Sequence, residues 1–365
     1  MAILIEKSFS PTQYKIVWEI EIYEDGFRLD QFIKSNFENW SREMIKKKIK
    51  SGEVTISNRA SPHKPNTKVH TKERITLITN KGVLEDEYWN GELLTLDTKP
   101  EIIHEDDDLV VISKPTFMTT HPTGKRLFNC ATVFFEDKYK KTIHSIHRLD
   151  RETSGVLLLG RNPQSANQLT KEFENGRVLK CYFFIAIKNE LYDKLDNKLR
   201  FEANQRLAAH DDSLKRVLIE AYAEASIEGK HANTSFHILE QEKEYVIGLA
   251  FPRTGRQHQI RVHAQIHGLP LLGDKIYLGG YPMFQRFKDQ LATKKDHLKM
   301  DHYRHALHSI ALAINYKNSL QIFQTVIPLD LKEWIERRTK INTEELEIKC
   351  RKGIEDYFRA SDKKE

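Results

Sequence analysis

The stretch that most constrains this chain begins His147-Arg148-Leu149-Asp150-Arg151-Glu152-Thr153-Ser154-Gly155 and continues Val156-Leu157-Leu158-Leu159-Gly160. A charge-dense loop feeds directly into a short apolar run bounded by glycines, and such a run reads as a buried strand. Side chains that carry chemistry are commonly placed on loops held by a rigid strand. Asp150 has Arg148 and Arg151 as close sequence neighbours. Cationic neighbours keep a carboxylate ionised, ready to act as a nucleophile or a general base. For an isolated Arg-Leu-Asp the ordinary alternative is a surface ion pair at a strand entry, because structural ion pairs also perturb carboxylates.

The length of 365 residues suits two domains with a tail rather than one ordinary domain. Charged residues make up 30% with a net charge of +6, and the sequence pI is about 8.9. That balance fits local basic patches and a polyanionic partner. Cys130, Cys181 and Cys350 are far apart and form no Cys-x-x-Cys, which argues against a disulfide framework and against a cysteine zinc site. The segment Met1 to Lys7 lacks the apolar core of a signal peptide, and nowhere do eighteen apolar residues run together. No membrane span is expected, and the compartment is the cytoplasm or an equally reducing one.

Along the chain, residues from Gly26 to about Leu77 read as a compact α/β unit. Phe32, Ile33 and Phe37 recur at helical spacing, and Ser41 stands as an N-cap before a second helix, Arg42 to Lys50. Ile45 and Ile49 share one face of that helix while Arg42, Lys46, Lys47 and Lys50 cover the others. Residues from Asn80 to Pro100 read as a linker. Glu105 to Asp108 form an acidic turn before a buried strand from Leu109, which Lys114-Pro115 ends. Three adjacent aspartates invite a metal, but consecutive acids point in different directions, so a solvated turn is expected. A helix from Asn162 to Gly176, a strand from Lys180 to Ile187 and a hairpin through Thr234–Ile238 and Tyr245–Phe251 follow. Leu191 to Lys230 is irregular, with a short element around Leu214 to Ala223.

In Thr254-Gly255-Arg256-Gln257-His258-Gln259-Ile260-Arg261-Val262-His263, Ile260 and Ala264 share a helical face. His263 and His267 have the separation of a zinc-binding helix, but Ala264 stands where its glutamate should be, so no metal is expected. No dinucleotide or phosphate-loop glycine pattern occurs, and no cofactor is expected. Phe284 to Tyr303 reads as an insertion or surface helix. From Pro328 the chain is highly charged: Leu331, Trp334 and Ile335 can dock a helix, and the end from Arg351 is expected to be mobile.

His147-Arg148-Leu149-Asp150-x-x-Thr153-Ser154-Gly155 resembles the signature of the RluA-type pseudouridine synthases. The acidic turn with Lys114-Pro115, Lys180-x-Tyr182, Gly229-Lys230-x-Ala232-x-Thr234 and Gly255-Arg256-x-His258-Gln259-Ile260-Arg261-x-His263 are similar to further motifs of that family. The resemblance spans Asp106 to about Ile314. It implies an α+β fold with a mixed, mainly antiparallel central sheet and flanking helices. It also implies isomerisation of uridine within RNA, with Asp150 attacking or deprotonating the sugar. Tyr182 would cover the base, Arg261 pair with Asp150, and Ile260 pack against the base. Arg148 would contact phosphate or fill the gap left by a flipped nucleotide, and Arg256 would support the loop or a phosphate. His147 and Thr153 join the substrate contacts by their place in the motif.

Gly26-Phe27-Arg28-Leu29-Asp30, Ser41-Arg42, Ile45, Ile49-Lys50, Gly52 and Val54 resemble the small RNA-binding domain named after ribosomal protein S-four. The pattern implies RNA contacts from Arg28, Ser41, Arg42, Lys46 and Lys50. Arg28-Leu29-Asp30 repeats the central Arg-Leu-Asp, but no Thr-Ser-Gly follows it and no catalysis is assigned there. The expected domains are residues 15–85, 98–328 for catalysis, and a charged tail over 329–365. A monomer acting on ribosomal RNA is expected, with transfer RNA as the alternative target. The rivals from other classes are an inactive RNA-binding module and a metal-dependent nuclease built on Asp106 to Asp108.

Overall fold

The structure, a computed structural model, describes residues 2–9, 13–37, 40–80, 86–122, 126, 128–212 and 215–362. Leu214, where the short element in the irregular stretch was expected to begin, lies outside them, as do residues 81–85 of the expected linker. The chain divides into two compact units, Met1–Glu87 with Met118–Ser145, and Tyr88–Phe117 with Ile146–Glu365.

In the first unit four strands pair in the order Ile3–Phe9, Gln13–Glu19, Arg74–Asn80, Val54–Ile56, all antiparallel. Alternation at Tyr14, Ile16 and Trp18 puts one face of the second strand into the core, where Leu29, Phe32, Ile33, Ile45 and Ile49 meet it from two helices, Leu29–Asn36 and Arg42–Lys50. The Ser41 hydroxyl caps the second helix by accepting from the Met44 N–H at 3.2 Å. The hairpin before Gly26 was absent from the sequence reading. A further helix, Ala131–Tyr139, adds Cys130 and Val133 to the same core.

The second unit is built on a sheet whose strands run Arg200–Ala203, Thr234–Gln241, Tyr245–Pro252, Leu179–Ile187, Leu307–Tyr316, Ser154–Gly160, Leu109–Lys114, Glu101–Glu105. Ser154–Gly160 runs parallel to Leu307–Tyr316, and the other neighbours in this order are antiparallel. The fold is α+β with a mixed, mainly antiparallel sheet. Two-residue alternation sorts the strand Leu179–Ile187 between two cores. Cys181, Phe183 and Ile185 enter one, while Phe184 and Ala186 enter the other with Tyr182 packed against it. Ile260 and Ala264 of the helix Gln259–Ile266 join the Tyr182 side. Alternation therefore fixes which residues of this strand can face the site.

Gly155 shows why a glycine opens the motif strand. Its φ is +106°, and a Cβ there would lie 2.2 Å from the Ser309 carbonyl oxygen, so the two strands approach only because no side chain intervenes.

The helix expected to dock through Leu331, Trp334 and Ile335 is present, and up to Asp362 the end from Arg351, expected to be mobile, is helical and docked as well. Leu329–Arg338 and Thr343–Asp362 are helices, and Leu331, Trp334, Ile335, Leu346, Cys350, Ile354 and Phe358 are buried against Phe183, Ile247, Leu249 and Ile310 of the sheet. Apolar residues at helical spacing supply one buried stripe, and the charges that dominate the composition lie elsewhere on the helices. Part of the expected linker is also structured: Tyr88–Trp89 pairs with Glu92–Leu93, and Trp89 stacks on Phe287 with ring centroids 6.0 Å apart. The lysine-rich segment holds two short helices, Tyr281–Lys288 and Lys294–Met300. The irregular stretch holds the hairpin Arg206–Ala209 with Ile219–Tyr222.

Trp334→Ala opens a large void between helix and sheet. It is expected to cost about 3 to 5 kcal/mol, measured as a lower urea midpoint. A mobile tail would lose almost nothing.

Candidate active site

The motif loop is pinned around Glu152. Its carboxylate takes Lys275 Nζ at 3.0 and 3.1 Å and the His305 N–H at 3.1 Å, and its carbonyl accepts from Thr116 Oγ1 at 3.0 Å. Arg304, fully buried, is held by Asp330 through two bonds of 2.7 and 3.0 Å and donates to the Leu307 carbonyl at 3.1 Å. Its Nη1 also reaches the Glu152 carbonyl at 3.4 Å. Thr153 closes a turn on the Asp150 carbonyl, and its hydroxyl pairs with His305 Nε2 at 2.7 Å.

Two residues before Glu152, the Asp150 side chain is 24% exposed. Arg261 Nη1 donates to Asp150 Oδ2 at 3.1 Å. The same guanidinium donates from Nε and Nη2 to Asp274 at 2.6 and 2.9 Å. Asp274 is fully buried and also accepts the backbone N–H groups of Ile276 and Tyr277, both at 3.0 Å. The Tyr277 ring lies 5.1 Å from the guanidinium carbon, a cation–π distance. Bidentate pairing fixes the guanidinium plane and leaves Nη1 for Asp150.

Burial alone would raise the Asp150 carboxyl. His258, Arg261 and His305 outweigh it and hold the group down at about 2. His258 Nε2 lies 3.8 Å from Asp150 Oδ2. Burial, with the Arg261 charge second, draws His258 itself down to about 4, so at neutral pH it is uncharged and Arg261 is the cation in contact with Asp150. Burial presses the guanidinium toward losing its proton, and the Asp274 charge more than reverses this, so Arg261 stays protonated.

The carboxylate opens into a cleft of about 480 Å³ lined by Arg148, Asp150, Thr153, Lys180, Tyr182, Arg256, His258, Ile260 and Arg261 among others. That volume is in the range of small-ligand sites. Burial, above all, raises the Tyr182 phenol well above its ordinary value, and it is protonated at neutral pH. Arg148 is exposed in the cleft.

One sequence expectation needs correction. The cation in contact with Asp150 is Arg261, as the resemblance implied, and not a sequence neighbour: Arg151 turns to Glu152 at 3.5 Å and lies over Phe117, and Arg148 is exposed in the cleft. His147 lines the cleft, and its Nε2 accepts the Leu158 N–H at 3.1 Å while its ring stacks on Phe173, which also braces the loop. The acidic turn is solvated at Asp107 as expected, while Asp106 is also tied, accepting the N–H groups of Asp108 and Leu109, the Tyr316 hydroxyl and Lys317. The Asp106 oxygens are thereby engaged within the fold. His263 likewise has both ring nitrogens engaged, on Thr234 and the Gln205 carbonyl.

In the first unit, Arg42 and Lys50 are exposed on the outer face of their helix, and Lys46 pairs with Glu43 at 3.1 Å. Arg28 pairs with Asp30 through bonds of 2.9 and 2.8 Å, and the Ser41 hydroxyl is engaged as a cap. Asp274, His258 and Tyr277 were missed as site residues. Gly273-Asp274 was visible as a pair, but nothing local tells which guanidinium the aspartate will meet.

The profile of the RNA pseudouridylate synthase family matches residues 108–265. Ribosomal large subunit pseudouridine synthase D of Vibrio vulnificus is 30% identical over 326 residues, covering 85% of this chain and 90% of the relative. The mitochondrial tRNA pseudouridine(32) synthase of Saccharomyces cerevisiae is 28% identical over 258 residues, covering 70% of this chain and 51% of that one. The solved human RNA pseudouridylate synthase domain containing 4 shares the fold, with a TM-score of 0.50 at 21% identity over 65% of this chain and 92% of that one. The chain belongs to the RNA pseudouridine synthase family. It is an enzyme that isomerises uridine within RNA.

Asp274→Asn keeps the shape and removes the charge, so the buried guanidinium keeps only Asp150 as counter-charge. The expected result is a loss of about 3 kcal/mol in urea unfolding and a slower single-turnover rate at unchanged RNA affinity. Unchanged stability and rate would show that Asp150 alone suffices.

Proposed function

We propose that Asp150 is the catalytic residue and that the target uridine lies in large-subunit ribosomal RNA. The observation carrying this reading is the ionised carboxylate held by Arg261 on the wall of a cleft that Tyr182 and Ile260 also line. The reaction breaks the bond from C1′ to N1, turns the uracil, joins C1′ to C5, removes a proton from C5 and places one on N1; no atom is gained or lost and no electron leaves. Attack of the carboxylate on the ribose and removal of a ribose proton both begin from ionised Asp150. Tyr182, a protonated phenol, covers the extruded base, and Ile260 packs against it. Thr153 holds the turn behind Asp150, and Arg148 reaches from the cleft toward the strand that the uridine leaves.

The ribosomal target rests on the Vibrio relative, whose likeness runs over most of both chains. The yeast transfer-RNA enzyme favours the second reading, transfer RNA, and is matched over about half its length. The N-terminal unit acts as an RNA-binding domain of the S-four type through Arg42, Lys46 and Lys50, positioning RNA without reading its sequence. The chain works as a monomer in the cytoplasm. No helix among the described residues is long and apolar enough to cross a membrane.

Mapping pseudouridine across total RNA from cells with and without the protein is expected to show sites lost from large-subunit ribosomal RNA. Loss from transfer RNA instead would support the second target, and an unchanged map would contradict both. Asp150→Asn is expected to slow single-turnover isomerisation at least about a thousandfold, as for loss of an acid–base group. Retained activity would refute the assignment of Asp150.

A further inference from the structure

We propose that Lys180, Arg253 and Arg256 form a phosphodiester-binding subsite on the cleft wall, which grips the RNA backbone beside the extruded uridine. The inference rests on the RNA-isomerising reading and adds the part of the substrate that this wall holds.

All three cations line the cleft. Elsewhere in the chain arginines take carboxylates: Arg28 with Asp30, Arg177 with Glu172, Arg261 with Asp274, Arg286 with Asp296, Arg304 with Asp330. Among the described residues no acid lies within ion-pair distance of Lys180, Arg253 or Arg256. The cleft lining contains two acids, Asp150, taken by Arg261, and Glu174, exposed at the end of its helix. A sequence with 52 acids for 58 bases could have paired these cations. Like charges gathered without counter-charge in a concave wall mark a place where an anion completes the site.

The wall is also built rather than loose. Lys180 Nζ donates to the Thr254 carbonyl at 2.9 Å, which anchors the ammonium and leaves two N–H groups for a ligand. Gln259 Oε1 accepts from Thr254 Oγ1 at 2.7 Å and from the Arg256 N–H at 2.9 Å, bracing the loop. Gln259 Nε2 is itself fixed on the Asn233 carbonyl at 2.8 Å. Arg256 Nε donates to the His231 carbonyl at 3.0 Å, which orients the guanidinium and leaves both Nη groups for phosphate. The braced loop runs directly into the N-terminus of the helix Gln259–Ile266, whose dipole favours an anion. Burial, and second the Arg256 charge, draw the Lys180 ammonium down to about 8. A phosphate between the two would relieve that repulsion.

The test is the salt dependence of binding to an in vitro transcript of large-subunit ribosomal RNA. Each phosphate contact adds about one unit to the slope of log affinity against log salt. Lys180→Gln is expected to flatten the slope by about one unit and Lys180→Arg to restore it. Should Lys180→Gln fail to fold, Arg253→Gln, whose side chain is exposed, carries the same expectation. Asp150→Asn is expected to keep the wild-type slope while losing chemistry, which separates failure of this subsite from failure of the catalytic assignment. Unchanged slopes in both glutamine variants overturn the proposal. So does an affinity loss that is equal at every salt concentration, the mark of a loop that has merely lost its anchor.

Discussion

One guanidinium shared by two carboxylates is the interaction on which the site depends. Arg261 carries a charge in a place where burial opposes it, and Asp274 keeps it there with two short bonds. Arg261 Nη1 points at Asp150. Asp274 alone would leave Arg261 satisfied and Asp150 free to take up a proton in a desolvated pocket. Asp150 alone would leave the guanidinium free to rotate. With both, the Asp150 carboxylate is ionised and has a fixed direction.

The fold delivers these groups from distant parts of one unit. Asp150 comes from the loop before a strand that only a glycine lets lie so close to its parallel neighbour. Arg261 comes from the short helix after the Thr254–His258 loop, and Asp274 from the turn beyond it. Asp330, on the helix Leu329–Arg338, secures Arg304, which grips the carbonyl of Leu307 and reaches that of Glu152. The C-terminal helices therefore bear on the site as well as on the core. Strand alternation decides that Tyr182 faces the cleft while Cys181 and Phe183 do not.

The parts legible in the sequence were those set by local pattern. Val156 to Leu159 had to be a buried strand, Ser41 had to cap a helix, and Ile260 with Ala264 had to face one way. The tail was misread although its stripe was present: Leu346, Cys350, Ile354 and Phe358 recur every fourth residue. Charge density hid that period. Tyr14, Ile16 and Trp18 alternate just as plainly, and their hairpin was passed over. Asp274 was out of reach for a different reason, since a buried aspartate and its arginine thirteen residues away share no local signal. The neighbours of Asp150 misled in the same way, because adjacency in a turn sends side chains apart.

The central claim is that Arg261 holds Asp150 ionised against burial. Carbon-13 resonances of aspartate carboxyls, titrated in the enzyme with Asp150→Asn as the assignment control, measure this directly. The account predicts a midpoint at about 2 for Asp150, and a clearly higher one in Arg261→Gln, where His258 and His305 alone oppose burial. An ordinary midpoint in the native enzyme that does not move in Arg261→Gln would contradict it.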